Sequence, residues 1–403
     1  MKPYNTKMEE RLVALRDTLD LKEPKKVPVN IQVQTWAYAY AGVTLKEVVD
    51  DPVKDAGCYT KLYDDIEVDL STFGVNVMPI RLFEALGITK YCFANDDTAI
   101  VHQQVGEDYF GMEFYDDIKE IGVEGITEKI RRMNIPVLSE PKEVAVKRFE
   151  DATKYVKNYI EMKQMASHKI DELGIPRIFD AGTNSCDAAF WANPFTKLMD
   201  YYRGMKNALI DLRRCPDKVE EACDVIAEYN GKRLLSDTEE IKKSFEGNVV
   251  SLGMNILNAE CFLSRQNFER FYLKYFRKQL MPYIDAGAKF YIYMEGDLLK
   301  TCDMYNDLPK GALFMQPDTD DPFELYKKIG GYHTICAGAP LSMLKYETKE
   351  NCIDYAKKCF DTFAPGGGYV FSHNKSLTCA KDVNIENFKA VYEFANEYGR
   401  KQD

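Results

Sequence analysis

The sequence predicts an α/β protein folded as a single (β/α)8 TIM barrel, with an N-terminal helical extension and an insertion after the second strand. Three observations carry this. Eight short apolar runs punctuate the 403 residues. From the third run onward, long helical patterns alternate with them. Most runs end on a polar or metal-capable residue, and in such a barrel the chemistry sits at the C-terminal ends of the strands.

Taken in order, the runs are Val27–Thr35, Ile66–Phe73, Ile175–Thr183, Asn248–Asn255, Lys289–Asp297, Gly311–Pro317, His333–Gly338 and Gly368–Asn374. Residues 1–26 form a charged helix and a Pro/Lys link, the extension. After the first run, TLKEVVDDPVKDAGCYTKLYDDI has an N-cap residue in Thr44 and helical apolar spacing, with a break near Pro52, so it predicts a helix pair. Residues 75–150 do not follow the alternation and are assigned to the insertion or cap. YCFANDDTAIVHQQVG there is a small extended excursion, and GMEFYDDIKEIGVEGITEKIRRMNIP a set of short helices. Residues 146–174 predict one long helix stopped by Gly174. Four more helices precede or follow the last strands, the final one being NIENFKAVYEFANEYGR. One domain, residues 1–403, accounts for the whole chain.

Composition narrows the partners. The net charge is −11 and there is no dense Lys/Arg stripe, which argues against nucleic acid. No run approaches the roughly 20 apolar residues that cross a bilayer, so no membrane partner is expected. Eleven scattered cysteines without a CxxC pair or a signal peptide point to reduced thiols and a cytoplasmic setting.

The candidate site is read from the strand ends: Asp180, Asn255, Glu295, Asp297, Cys336 and His373. Tyr293 and Glu295 share a strand face, joined by Asp297 if the strand continues that far, and a carboxyl group there can serve as proton donor, base or metal ligand. His373 follows the last strand; His333 begins a strand, nearer the opposite face. Three glycines, Gly366 to Gly368, let the backbone turn tightly against a ligand or a neighbour. Cys336 has the chemistry of a zinc ligand, although a buried cysteine is often an inert small hydrophobe. Trp36, Tyr38 and Trp191 follow strand ends, as a pocket wall or as core.

The segments NVVSLGMN, FERFYLKYFRKQLMPYIDAGAKFYIYMEGD, LPKGALFMQPDTDDPFELYKKIGG and ICAGAPLSMLKYETKENCIDYAKKCFDTFAPGGGYVFS resemble the uroporphyrinogen decarboxylase superfamily over residues 248–398. The match is looser before that. The porphyrinogen decarboxylases carry an arginine-rich first strand; here it is QVQTWAYAYAG, with no cation to grip an octa-anionic substrate. The other branch, the corrinoid-dependent methyltransferases, is the closer likeness, in particular its O-demethylase members. That resemblance implies a small, methoxylated aromatic methyl donor and a cobalamin carried by a partner corrinoid-binding protein. It also implies zinc, with Glu295, Asp297, His333, Cys336 and His373 as the ligand candidates and Glu295, Asp297 and His373 as catalytic groups. Trp36, Tyr38, Asp180, Trp191, Asn255 and Tyr293 would line the donor. Where thiol-methylating relatives hold zinc with an H-x-C pair, this chain has Tyr293-Met-Glu295. A decarboxylase of a small acid and a corrinoid-binding barrel without turnover are the alternatives, and homodimer formation stays open.

Overall fold

A computed structural model describes residues 6–72, 78–88, 91–94, 100–102, 110–178, 192–244 and 254–400. Asp180 and Trp191 lie outside the described residues, and of Asn255 only the backbone, within a strand, is described.

The strands are short and, in the main sheet, parallel. β1 (Asn30–Ile31) pairs with β2 (Leu70–Ser71). β3 (Tyr91–Phe93) and β4 (Ile100–His102) form an antiparallel hairpin, the extended excursion expected inside the insertion. β5 (Met254–Leu257), β6 (Phe290–Met294), β7 (Leu313–Pro317), β8 (Thr334–Ala337) and β9 (Tyr369–Phe371) form one parallel sheet in chain order. Parallel bridges extend the run: Val29 meets Phe371, joining β9 to β1, and Ser71 meets Arg177, adding the third apolar run beside β2. All eight runs therefore contribute to one parallel succession. Among the described residues no pairing joins the Arg177 segment to β5, so a closed ring is not shown.

Side chains alternate across these strands. Tyr291, Tyr293, Phe314, Cys336 and Val370 gather with Leu70 and Ile178 in one buried cluster on the inner face. Phe290, Ile292, Met294, Leu313, Met315, Ile335 and Phe371 face the helices and join the larger core. Burial on both faces is why the strands are continuous apolar runs without polar alternation.

Leu15 and Leu19 of the first helix, Thr6–Leu19, complete the inner cluster. Lys289 Nζ donates to the Leu19 carbonyl at 3.2 Å, and Thr334 Oγ1 to the Thr18 carbonyl at 3.4 Å. Both contacts lie where β6 and β8 begin, so the extension packs under the N-terminal ends of the strands. The glycine triplet serves this packing: all three have positive φ, and a Cβ on Gly367 would stand 2.4 Å from the Lys22 carbonyl carbon. The neighbour the triplet approaches is this chain's own N-terminal turn.

Most helices form where their caps predict. Thr44 and Glu47 close a capping box on Leu45–Val48, and Asp51 caps Pro52–Asp65, which confirms the break before Pro52. Lys142–Glu172 is the long helix. The GMEFYDD segment forms the expected short helices, two of them within Phe114–Asn134, divided at Gly122 (φ 68, ψ −178); Phe114, Tyr115, Ile118, Val123 and Ile126 are buried on both sides of the kink. Residues 36–41 also form a helix, so Trp36 and Tyr38 begin an element of the helical layer.

Gly367→Ala should lower the thermal midpoint by the equivalent of roughly 1–3 kcal/mol, because the conformation is left-handed and the new carbon meets backbone. Gly231→Ala, in a helix with open space around it, should change stability little or raise it. Thermal melts of both variants test the contrast.

Candidate functional site

Register fixes what stands together at the C-terminal ends. Leu257 pairs with Met294, and Met294 with Pro317. One residue further, Asn258, Glu295 and Asp318 stand level on three adjacent strands, roughly 5 Å apart from strand to strand. Gly296 makes the row possible: at φ 94 it turns the chain sharply after Glu295. On the far side, Gly338 is level with Asp318, and a Cβ there would fall 1.7 Å from the Ser372 carbonyl oxygen. Only glycine lets the ends of β8 and β9 approach so closely.

Below this row the interior is polar and largely hydrogen-bonded, with Gln32 Nε2 left without a partner. The buried Gln316 amide donates to Gln32 Oε1 at 2.7 Å and to the His373 carbonyl at 2.8 Å, and its oxygen accepts from the Tyr291 hydroxyl at 2.6 Å. Asn30 donates to Ser372 Oγ at 3.2 Å and accepts from Thr72 at 2.8 Å.

The row itself is acidic. Asp318 accepts from the Tyr293 hydroxyl at 3.4 Å and pairs with Lys375 Nζ at 3.0 Å. Asn374 donates to the Asp318 carbonyl at 2.6 Å, which fixes the loop after β9 over the end of β7. Asp200 accepts from Asn258 Nδ2 at 3.0 Å. Glu295 is half-buried; burial raises its pKa first, the charges of Asp318 and Asp200 raise it further, and Lys375 opposes them. Nearby, burial together with Asp297 raises Asp320 to about 6. A cleft of about 370 Å³ opens beside the row, between the loops that follow β7 and β8; Asp318, Asp320, Lys375 and Asn374 form its polar side, and Pro340 and Tyr355 line it too.

Of the expected site residues, Tyr293, Glu295 and Asp297 are at this face. Asp297 is exposed and acts on Asp320. The others are elsewhere. His373 is fully buried, but the strand alternation turns it outward against Phe388 and Tyr392, with ring centroids 5.9 and 6.3 Å away. Its Nε2 accepts from the Gln32 backbone N–H at 3.3 Å, and burial lowers its pKa to about 4. His333 is level with the start of the strands, roughly 16 Å below Glu295 along their axis. It is also lowered to about 4 by burial, with Nε2 3.1 Å from the Tyr305 carbonyl. Cys336 is buried inside, beside Asn30 and Ser372, with its thiol pushed up to about 12. A thiol that holds its proton so firmly is a small hydrophobe here.

The five proposed zinc ligands thus do not converge, and among the described residues no group of three His, Cys, Asp or Glu side chains is placed to hold a metal. The aromatic wall is also corrected. Trp36 is buried against Tyr40 and Phe388, and the Tyr38 hydroxyl donates to Asp55 Oδ1 at 2.7 Å inside the helical layer. Sequence reading missed Asp318, Asp200 and Lys375. Asp318 was within its reach, as the first residue after the Gly311–Pro317 run.

Asp55 provides a pH test of this helical layer. Burial raises its pKa to about 7, above the roughly 3.9 of an unfolded chain. The folded state therefore pays nothing for this group in acid and loses stability as pH rises from about 4 to 7. Asp55→Asn, which keeps an acceptor for Tyr38, should melt higher than the parent at pH 8, with the advantage gone near pH 4. Equal advantage at both pH values would contradict the assignment.

No family model and no curated protein sequence matches this chain. Among solved structures, it is similar to a methyltransferase from Methanosarcina mazei, with a TM-score of 0.58 at 13% identity, covering 96% of this chain and 98% of that one. The two proteins share a fold over essentially their whole lengths.

Proposed function

We propose that this chain is a methyltransferase whose parallel strands form an eight-stranded barrel, and that it moves a methyl group from a small methoxylated donor at the Glu295 row. The acceptor in this reading is the reduced corrinoid of a partner protein, a co-substrate that docks over the open ends of the strands. Two findings support it: the fold shared with a methyltransferase, and the superfamily resemblance of the C-terminal half. The observation that carries it is Glu295, a half-buried carboxyl at the strand ends whose surroundings favour the protonated form.

The chemistry follows from that proton. An ether oxygen leaves poorly as an anion. As the methyl carbon departs to the acceptor, the C–O electron pair stays on oxygen, and Glu295 delivers its proton there. Burial and the like charges of Asp318 and Asp200 raise the pKa of the carboxyl above that of an exposed glutamate, which favours the proton-carrying form. Lys375, paired with Asp318, limits the charge of the row. The cleft of about 370 Å³ is at the small end for ligand pockets and suits a compact donor, with Tyr355 and Pro340 against its apolar part. An aryl donor would lie there, not against Trp36 and Tyr38. No step passes through zinc, because the ligand set does not assemble.

The carboxylates also weigh against decarboxylation of a small acid. An anionic substrate in the cleft would meet Asp318, Asp320 and Asp321, against a lysine already paired with Asp318.

Glu295→Gln should reduce methyl transfer by at least about 100-fold while circular dichroism stays native. The assay is a panel of methoxylated compounds with a reduced corrinoid protein as acceptor; near-normal turnover of the variant would refute the role. His373→Ala should instead act mainly on stability, since its ring packs against Phe388 and Tyr392 behind the wall.

A further inference from the structure

We infer that Asp200, tethered by Asn258 to the strand position beside Glu295, is a positioning residue that keeps the Glu295 carboxyl in its proton-carrying form. The inference rests on the proposed role of Glu295 and adds the group that controls it.

Three structural observations lead to Asp200. It lies in a single π-turn, Leu198–Tyr202, that continues the short helix Pro194–Lys197 to its end, an irregularity that often marks functional positions. That turn brings its carboxylate to Asn258 Nδ2 at 3.0 Å. Asn258 follows the paired Leu257, and Glu295 follows its partner Met294, so the tethered carboxylate is held at the level of the acid. Burial raises the pKa of Asp200 and the Asn258 amide opposes that rise; once ionised, this neighbour in a half-buried setting opposes ionisation of Glu295.

The other charged and titratable groups around Glu295 do not duplicate this. Asp318 faces it from β7 but is paired with Lys375 and accepts from Tyr293. Tyr293, below it on β6, is shifted up and stays neutral. Asp320, beyond Gly296, is raised to about 6 by burial and by Asp297. Cys261 stands beside Gly296 with its thiol raised by burial, hence neutral. Glu260, behind Asp200, is fully buried and raised to about 8 by burial, so it holds its own proton at neutral pH. Asp200 is therefore the carboxylate at the row with an amide tether and no salt bridge among the described residues.

The test titrates Glu295 directly. In protein labelled with 13C-carboxyl glutamate, the Glu295 resonance is assigned by its loss in Glu295→Gln. Asp200→Asn should lower its titration midpoint by roughly one pH unit. The alkaline limb of the methyl-transfer pH profile should move down by the same amount, and Asp200→Glu should restore both. Asn258→Ala, which frees the carboxylate, should shift the midpoint the same way by less, and serves if Asp200→Asn does not fold. An unchanged midpoint in a folded variant overturns the inference. Failure of the parent reading looks different: full turnover by Glu295→Gln, whatever the titration shows.

Discussion

The side-chain amide of Gln316 binds four parts of the fold at one point. It reaches β1 through Gln32, the end of β9 through the His373 carbonyl and β6 through Tyr291, all from β7. An amide in this position is demanding, because a buried polar group left without partners costs about 1–3 kcal/mol. Once satisfied, it fixes the relative heights of strands far apart in sequence. The level row of Asn258, Glu295 and Asp318 sits one layer above and inherits its alignment from this network. The sharp turn at Gly296 and the glycine at 338 then let the chain leave the strands without disturbing it.

Charge at the face is arranged by height. Inside, the hydroxyls and amides are neutral and bonded to one another, Gln32 Nε2 excepted. At the rim, carboxyl groups outnumber the nearby lysine, and partial burial keeps them from all being ionised together. This gradient leaves the rim with an excess of carboxyl groups, in line with the missing arginines of the first strand.

Much of the fold was legible because the strand signal is local. Runs such as Lys289–Asp297 and Gly311–Pro317 contain their strands almost to the residue, and the caps at Thr44 and Asp51 mark real helix starts. The break within 114–134 was legible in Gly122, whose left-handed backbone divides the segment into two helices. The site was half legible. Glu295 follows an apolar strand and could be found. His373 could not be placed, since a one-residue change in the alternation decides between the interior and the helical layer, and the run alone does not set that phase. Trp36 and Tyr38 looked like a wall because they follow a strand; a short helix turned them into the core. Asp200 is nearly a hundred residues from Glu295, and only the tether at Asn258 brings them together.

The first helix has a consequence for traffic. With Leu15 and Leu19 packed beneath Tyr291, Phe314 and Val370, the N-terminal ends of the strands are stoppered by this chain's own helix. Approach from below is shut, and the opposite rim, where Glu295, Asp318 and Lys375 stand, is left as the way in.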